Sequence, residues 1–113
     1  FAPIFTPNGI AAFGRDLDSA RQVWSRQEGY PGDSNYRDFY RDVGFDLDFD
    51  YVKPYLPSPD HRGFTGIKYH RITNQGWDKL PYHRDGALHV AAQHAQHFLD
   101  ARVGQIAHLS DVM

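Results

Sequence analysis

One short stretch of this 113-residue sequence gathers aromatic and acidic side chains around a turn. Trp24, Glu28, Tyr30 and Asp33 flank Pro31–Gly32, a pair typical of a type II turn because glycine accepts the positive φ that follows proline. A residue before proline favours an extended backbone, so we expect the Tyr30 ring to project from the turn. The stretch therefore predicts a binding surface made of an exposed ring and nearby carboxylates.

A second group with possible chemistry lies in Phe64–Thr73, which is rich in β-branched and aromatic residues and is predicted as a strand. Alternation places Lys68 and His70 on one face and Tyr69 on the other. Burying an ammonium costs several kcal/mol unless a partner satisfies it. Lys68 is therefore expected to meet either a polar ligand or a buried aspartate.

The elements predicted to position these groups begin with a short strand near 9–13, read as buried on both faces, and a helix near 18–25 capped by Asp16 or Asp18. A second helix near 34–43 is predicted by an apolar stripe, with Asp33 or Ser34 as its cap and Gly44 as its stop. The residues of that stripe are Tyr36, Phe39, Tyr40 and Val43.

The segment 44–63 permits more than one interpretation. Strict alternation over 45–51 indicates a strand, but aspartate is a poor strand former. Asp48 could instead cap a short helix through Tyr55 that buries Phe49 and Val52. Three alternating aspartates resemble a calcium loop, yet the glycine and the final glutamate of such loops are missing, so no metal is predicted.

The C-terminal part predicts a long amphipathic helix near 86–110, capped by Asp85. Its apolar residues recur at a spacing of three to four, as expected for core packing. His94 and His97 lie one turn apart and could chelate a metal, but the HExxH pattern is absent, and solvated histidines are the preferred interpretation. The apolar positions are Leu88, Ala91, Ala92, Ala95, Leu99, Ile106, Leu109 and Met113.

Composition excludes several classes of function. The net charge of −2 and pI near 6.4 argue against a nucleic-acid interface, and the lack of cysteine excludes disulfides and thiolate metal sites. The sequence has no membrane-spanning run, and no P-loop, GxSxG or dinucleotide motif. We therefore expect a cytoplasmic protein without cofactor, and the apolar start suggests a piece cut from a larger fold.

Three stretches of the sequence resemble glycoside hydrolase family 57, most of all its α-1,4-glucan branching enzymes. They are PIFTPNGIAAFGRD (3–16), VWSRQEGYPGDSNYRDFYRDVGFDLDFDYVKPYL (23–56) and FTGIKYHRIT (64–73). Residues 74–113 match only as an amphipathic helix. The Tyr-Asp-Pro-Glu helix start that is usual in the family appears here as Tyr82-His83-Arg84-Asp85.

The resemblance implies an α/β fold, with residues 1–113 forming part of a single catalytic domain, an incomplete (β/α)7 barrel. Family members use a glutamate nucleophile and an aspartate acid/base in a retaining reaction on α-1,4-glucans such as glycogen, amylose or malto-oligosaccharides. Neither catalytic motif occurs in this sequence, so no catalytic residue is assigned, and the segment alone is expected to be inactive. Its partner would be the rest of the parent barrel.

The same resemblance implies where substrate would bind. Residues 27–33 match a mobile loop over the substrate cleft with Tyr30 near its tip, and Lys68 and Tyr69 match the barrel wall. The predicted substrate-binding residues are Trp24, Tyr30, Asp33, Lys68, Tyr69 and His70. Two alternatives stay open: a non-catalytic carbohydrate-binding module that uses Trp24, Tyr30 and Trp77 as stacking platforms, and a structural fragment without ligand.

Overall fold

The structure, a computed structural model, describes residues 2–73 and 79–112. The chain divides into two compact units, residues 1–32 with 89–113 (unit 1) and residues 33–88 (unit 2). Helices and strands are mixed, and Trp77 lies outside the described residues. The strands and α-helices are β1 (Ile4–Phe5), β2 (Ala11–Ala12), α1 (Leu17–Trp24), α2 (Val43–Asp46), α3 (Phe49–Val52) and α4 (Arg84–Val112).

Unit 1 begins with a small antiparallel hairpin of β1 and β2. Gly9 has a φ of +83° at the turn, and its N–H donates to the carbonyl oxygen of Thr6 at 3.0 Å. The strand predicted near 9–13 is present as β2, but its predicted burial on both faces is wrong, because the segment pairs only with β1 among the described residues and leaves Ile10 and Phe13 exposed. The paired residues are Ile4 with Ala12 and Phe5 with Ala11.

Helix α1 confirms the helix predicted near 18–25. The Asp16 carboxylate caps it by accepting a hydrogen bond from the Ser19 N–H at 3.3 Å. Ser25 ends the helix in an extended conformation, and its N–H donates to the Arg21 carbonyl oxygen at 2.9 Å. The predicted cap and length of this helix are therefore both present.

The turn after α1 differs from the predicted type II turn. Tyr30–Gly32 forms a 3₁₀ turn, in which the Gly32 N–H donates to the Gly29 carbonyl oxygen at 3.4 Å. The positive-φ glycines of the described residues are Gly9 and Gly66, so Gly32 has no left-handed backbone. Glycine is needed at position 32 for another reason, since a Cβ there would overlap the carbonyl oxygen of Arg26.

Helix α4 confirms the long helix predicted near 86–110. It starts at Arg84, and the His83 carbonyl accepts the Ala87 N–H at 3.0 Å. Asp85 therefore lies within the first turn and not at the cap position that was predicted. The predicted core-packing stripe is largely exposed, as Leu99 (56% exposed) and Ile106 (64%) demonstrate.

In unit 2 the helix predicted near 34–43 is wrong. The Asp33 carboxylate accepts the Asn35 N–H at 2.8 Å, and the Asp38 carboxylate accepts the Tyr40 N–H at 2.9 Å. These short-range acceptors compete with the carbonyls of a helix and favour turns. The Asp38 N–H in turn donates to the distant His70 carbonyl at 2.9 Å, so this backbone is paired with another segment.

Two short helices follow. Gly44 does not stop a helix, as was predicted, but lies buried inside α2, which Asp42 caps by accepting the Gly44 N–H at 2.9 Å. The ambiguity over 45–51 is resolved in favour of helix, since α3 runs into a 3₁₀ turn at Lys53–Tyr55. Val52 of α3 is buried, as predicted, with 2% of its surface exposed.

The strand predicted near 64–73 is also wrong. Within residues 2–73 and 79–112, the segment forms isolated bridges and no continuous strand: Arg37 pairs with Arg71 and His70 with Pro81. Gly66 has a φ of +86°, which breaks the extended run. The N–H groups of Thr65 and Gly66 donate to the Asp42 side chain and are not available to a neighbouring strand. The segment is therefore an irregular extended stretch.

The core of unit 2 is small and unusually polar. Its described residues include four buried apolar side chains and two buried aspartates, whereas no described residue of unit 1 is fully buried. None of the described helices is long and apolar enough to cross a membrane. Besides Gly44, the buried residues among those described in unit 2 are Val43, Val52, Leu56, Ala87, Asp38 and Asp42.

Candidate functional site

The Asp42 carboxylate is the centre of a hydrogen-bond cluster in unit 2. Its Oδ1 accepts hydrogen bonds from the N–H of Gly44 and the N–H and hydroxyl of Thr65, at 2.9, 2.9 and 2.7 Å. Its Oδ2 accepts the Gly66 N–H at 2.9 Å and the Lys68 ammonium at 3.1 Å. Because Asp42 is fully buried, these five donors replace the water that the carboxylate loses on folding.

The charge state of Asp42 follows from these contacts. Burial raises the pKa of Asp42, but the hydrogen bonds from Thr65 and Gly44 and from the Lys68 ammonium outweigh it. The pKa therefore lies well below its ordinary value of 3.8, and the group is a carboxylate at neutral pH. A carboxylate with so many donors is suited to holding structure in place, since its acceptor capacity is used within the protein.

Lys68 is bound inside this cluster. Besides Asp42, its ammonium donates to the Phe39 carbonyl oxygen at 2.6 Å. It also lies 4.8 Å from the ring centroid of Phe39 and 4.9 Å from that of Phe64, close enough for cation–π attraction. The structure thus pairs Lys68 with a buried aspartate, one of the two partners that the sequence allowed.

Replacing Lys68 with methionine is expected to destabilise the protein by about 3–5 kcal/mol, because it leaves the buried Asp42 charge without its cation. Lys53→Met is a matched control, since Lys53 is exposed and lies 5.9 Å from the Phe49 ring centroid. Chemical denaturation of both variants measures the difference. Loss of activity with an unchanged free energy of unfolding would instead assign Lys68 to substrate binding.

His70 lies beside a second carboxylate. Its Nδ1 is 3.6 Å from Oδ2 of Asp46, while Oδ1 of Asp46 accepts a hydrogen bond from Nε of Arg41 at 2.9 Å. The distance to His70 is too long for a hydrogen bond, and this buried Nδ1 has no other hydrogen-bond partner in the described protein. His70 therefore has a free nitrogen beside an ion pair, an arrangement that could bind a ligand hydroxyl.

Tyr69 is the most exposed of the three neighbouring candidates, at 64%. Tyr51 and Tyr55 lie with it around a pocket of about 200 Å³ in unit 2. The other residues that line this pocket are mainly apolar. The complete lining is Val43, Leu47, Tyr51, Val52, Tyr55, Thr65, Ile67 and Tyr69.

The candidates from the turn region fall in both units. Trp24 is 79% exposed at the end of α1, and Tyr30 is half-buried, both in unit 1. Asp33 belongs to unit 2, where its carboxylate also accepts the side-chain amide of Asn35 at 2.8 Å. Of the predicted site residues, the structure therefore places Lys68 beside Asp42 and His70 beside Asp46, with Tyr69 between them in the sequence.

Sequence reasoning missed those two aspartates, Asp42 and Asp46. Both lie where the residue pattern was interpreted as a helix or an alternating strand, and neither pattern singles out a carboxylate. The only available signal was Lys68, whose predicted burial required an anion. Among the described residues, no group of three or more histidines, cysteines or acidic residues is arranged to hold a metal.

Comparison with known proteins identifies similar segments in much longer chains. A probable 1,4-α-glucan branching enzyme of Mycobacterium tuberculosis is 31% identical over 113 aligned residues, which cover 88% of this chain and 18% of the relative. No protein-family model matches the chain.

Two solved structures are similar in fold as well. The crystal structure of an α-amylase from Thermotoga maritima is 47% identical, with a TM-score of 0.81, over 98% of this chain and 22% of its own. A GH57-type branching enzyme from Pyrococcus horikoshii is 31% identical, with a TM-score of 0.62, over 90% of this chain and 16% of its own. The chain therefore spans about a fifth of the relatives that it matches.

Proposed function

Because this chain is a segment similar to the branching enzymes and amylases of glycoside hydrolase family 57, we propose that it is part of an enzyme that acts on α-1,4-glucans. The observation that carries the proposal is its similarity in sequence and fold to the Thermotoga maritima amylase over 98% of its length. We propose branching, a retaining glycosyl transfer, as the activity, with glycogen, amylose or malto-oligosaccharide as substrate. A cytoplasmic location belongs to the same proposal.

The catalytic carboxylates of the proposed reaction come from outside this segment. A retaining enzyme needs two carboxyl groups about 5–5.5 Å apart, one as nucleophile and one as acid/base. Glu28 is the single glutamate of the sequence, and it lies exposed, 3.9 Å from the Arg21 guanidinium. Asp42 is occupied by five donors. Neither environment suits a catalytic group, so we propose that the segment alone is inactive.

The remainder of the parent barrel is the proposed partner of the exposed apolar side chains. Soluble proteins rarely leave large contiguous apolar patches in water. Here many large apolar residues are exposed, and the relatives are about five times longer than this chain. We propose that the missing barrel covers part of this surface and that residues 1–113 belong to one catalytic domain. Exposed examples include Ile4, Leu17, Val23, Leu99, Val103 and Ile106.

Tyr30 is proposed to favour transfer over hydrolysis. A ring that stacks on the bound sugar would help to exclude water from the intermediate. Support comes from the position of Tyr30, half-buried on a turn that is closed by its own hydrogen bonds. Trp24, Asp33, Lys68, Tyr69 and His70 remain the other proposed substrate contacts, and Lys68 would act mainly by holding the Asp42 cluster.

In the full-length enzyme, Tyr30→Ala is expected to lower branching of amylose roughly tenfold, a loss of about 1.4 kcal/mol of transition-state stabilisation, with hydrolysis changed less than about twofold. New α-1,6 linkages measured by NMR report transfer, and new reducing ends report hydrolysis. Tyr40→Ala is the control, at a tyrosine that is 65% exposed and does not line the pocket of unit 2. An equal fall in both activities would contradict the role of Tyr30, and no activity on any α-1,4-glucan would contradict the proposed function.

A further inference from the structure

Two histidines of α4 hold the Tyr30 side chain. The phenolic oxygen of Tyr30 lies 2.6 Å from Nδ1 of His97. Its ring stacks on the imidazole of His94 with the centroids 4.7 Å apart and the planes inclined by 29°. The His97 ring meets the tyrosine ring edge-on, at 5.8 Å and 82°. The two histidines therefore fix both the plane of the ring and the direction of its hydroxyl.

Hydrogen bonds between near neighbours close the turn that carries Tyr30. The Glu28 N–H donates to the Ser25 hydroxyl at 3.0 Å, and the Gly29 N–H donates to the Ser25 carbonyl at 2.9 Å. The ion pair of Arg21 with Glu28 is exposed on both sides and contributes little. The turn is thus expected to move as one piece, with the Tyr30 side chain attaching it to α4.

We propose that His94 and His97 are positioning residues that hold Tyr30 where it can stack on a bound glucan. His94 covers one face of the ring, so the sugar would use the opposite face. The hydrogen bond between the Tyr30 hydroxyl and Nδ1 of His97 prevents the ring from rotating out of this plane. The inference rests on the proposed role of Tyr30 in transfer. It assigns a positioning role to the two histidines whose spacing in the sequence also permitted metal chelation.

The test compares three variants of the full-length enzyme. His97→Leu removes the hydrogen-bond partner of the hydroxyl, His97→Asn keeps a polar group that can donate or accept near the position of Nδ1, and Tyr30→Phe keeps the ring but removes its hydroxyl. His89→Leu, at another exposed histidine of α4, is the matched control. Hydrogen exchange of the amides of residues 25–32, measured by mass spectrometry, reports opening of the turn independently of activity.

We expect exchange in residues 25–32 to become about 2- to 10-fold faster in His97→Leu and Tyr30→Phe, the range for losing one hydrogen bond of ordinary net strength. The ratio of branching to hydrolysis should fall by a similar factor in the same two variants. His97→Asn and His89→Leu should stay close to the wild type in both measurements. A purely structural role for His97 would change stability without changing this ratio.

Contrary results separate the two ideas. Unchanged exchange in both His97→Leu and Tyr30→Phe would overturn the attachment of the turn to α4. Faster exchange with an unchanged ratio of branching to hydrolysis would overturn the positioning role. If Tyr30→Ala itself leaves that ratio unchanged, the role of Tyr30 in transfer fails, and the exchange data still decide whether the histidines hold the turn.

Discussion

Replacing Asp42 with asparagine is expected to lower the free energy of unfolding by about 3–5 kcal/mol, the usual cost of breaking a buried ion pair from one side. Asparagine keeps the shape of the side chain and one carbonyl oxygen. Its NH₂ group, however, would face the Gly66 N–H and the Lys68 ammonium, which are themselves donors. The Gly66 N–H would then lose its acceptor, and the Lys68 ammonium would lose its carboxylate and keep the Phe39 carbonyl.

Denaturant unfolding of wild type and Asp42→Asn measures this loss, with Asp48→Asn as control. Asp48 is exposed and its side chain makes no capping hydrogen bond, so its change should stay within about 0.5 kcal/mol. The pKa of Asp42 lies below 3.8, so its carboxylate stabilises the protein above that pH and the contribution disappears as the pH falls below it. The two stabilities should therefore converge in acid, and a gap that stays constant would contradict this account.

Gly44→Ala is expected to destabilise the protein by about 3 kcal/mol, although alanine is normally the better helix former by about 1 kcal/mol. A Cβ on Gly44 would overlap the carbonyl oxygen of Gly63. Neither backbone can move away easily, because the Arg62 guanidinium donates to the Gly44 carbonyl at 2.9 Å and to the Leu47 carbonyl at 2.8 Å. The fold of unit 2 therefore requires a glycine at position 44, where the backbone approaches Gly63 closely.

The matched control is Gly104→Ala in α4, where a new Cβ would meet no atom within 4 Å. That substitution should stabilise the protein by about 0.5–1 kcal/mol, since only the intrinsic helix preference remains. Thermal or denaturant unfolding of the two variants should therefore give changes of opposite sign. A stabilising effect at both positions would disprove the proposed contact between Gly44 and Gly63.

The parts of the fold that the sequence predicts correctly are those governed by near neighbours. Helix α1 follows from an aspartate cap and α4 from its apolar periodicity, whereas α3 begins after Asp48, as predicted, but without the predicted side-chain cap. Such signals need no knowledge of distant residues. The family resemblance in residues 3–73 likewise depends on short stretches of sequence. The comparisons confirm it as a resemblance to branching enzymes of family 57.

The parts that could not be predicted depend on pairs far apart in sequence. The helix near 34–43 fails because Asp38 pairs its N–H with His70, and the strand near 64–73 fails because Asp42 binds the N–H groups of Thr65 and Gly66. In both places aspartate carboxylates also accept backbone N–H groups that a regular element would need: those of Asn35 and Tyr40 in the first, and those of Thr65 and Gly66 in the second. The sequence singled out Lys68 and His70 as candidates, but not the aspartates beside them, Asp42 and Asp46.

The Asp42 cluster also determines when unit 2 can fold during translation. Its donors at positions 65–68 follow it by 23 to 26 residues, so on the ribosome the carboxylate is made well before them. Until Lys68 has been synthesised, burying Asp42 would leave its negative charge without a cation. The nascent segment should therefore stay hydrated and unfolded until then. Unit 2 is therefore expected to fold late and in one step during translation, and slow codons between positions 42 and 68 would lengthen the time it is exposed to proteases.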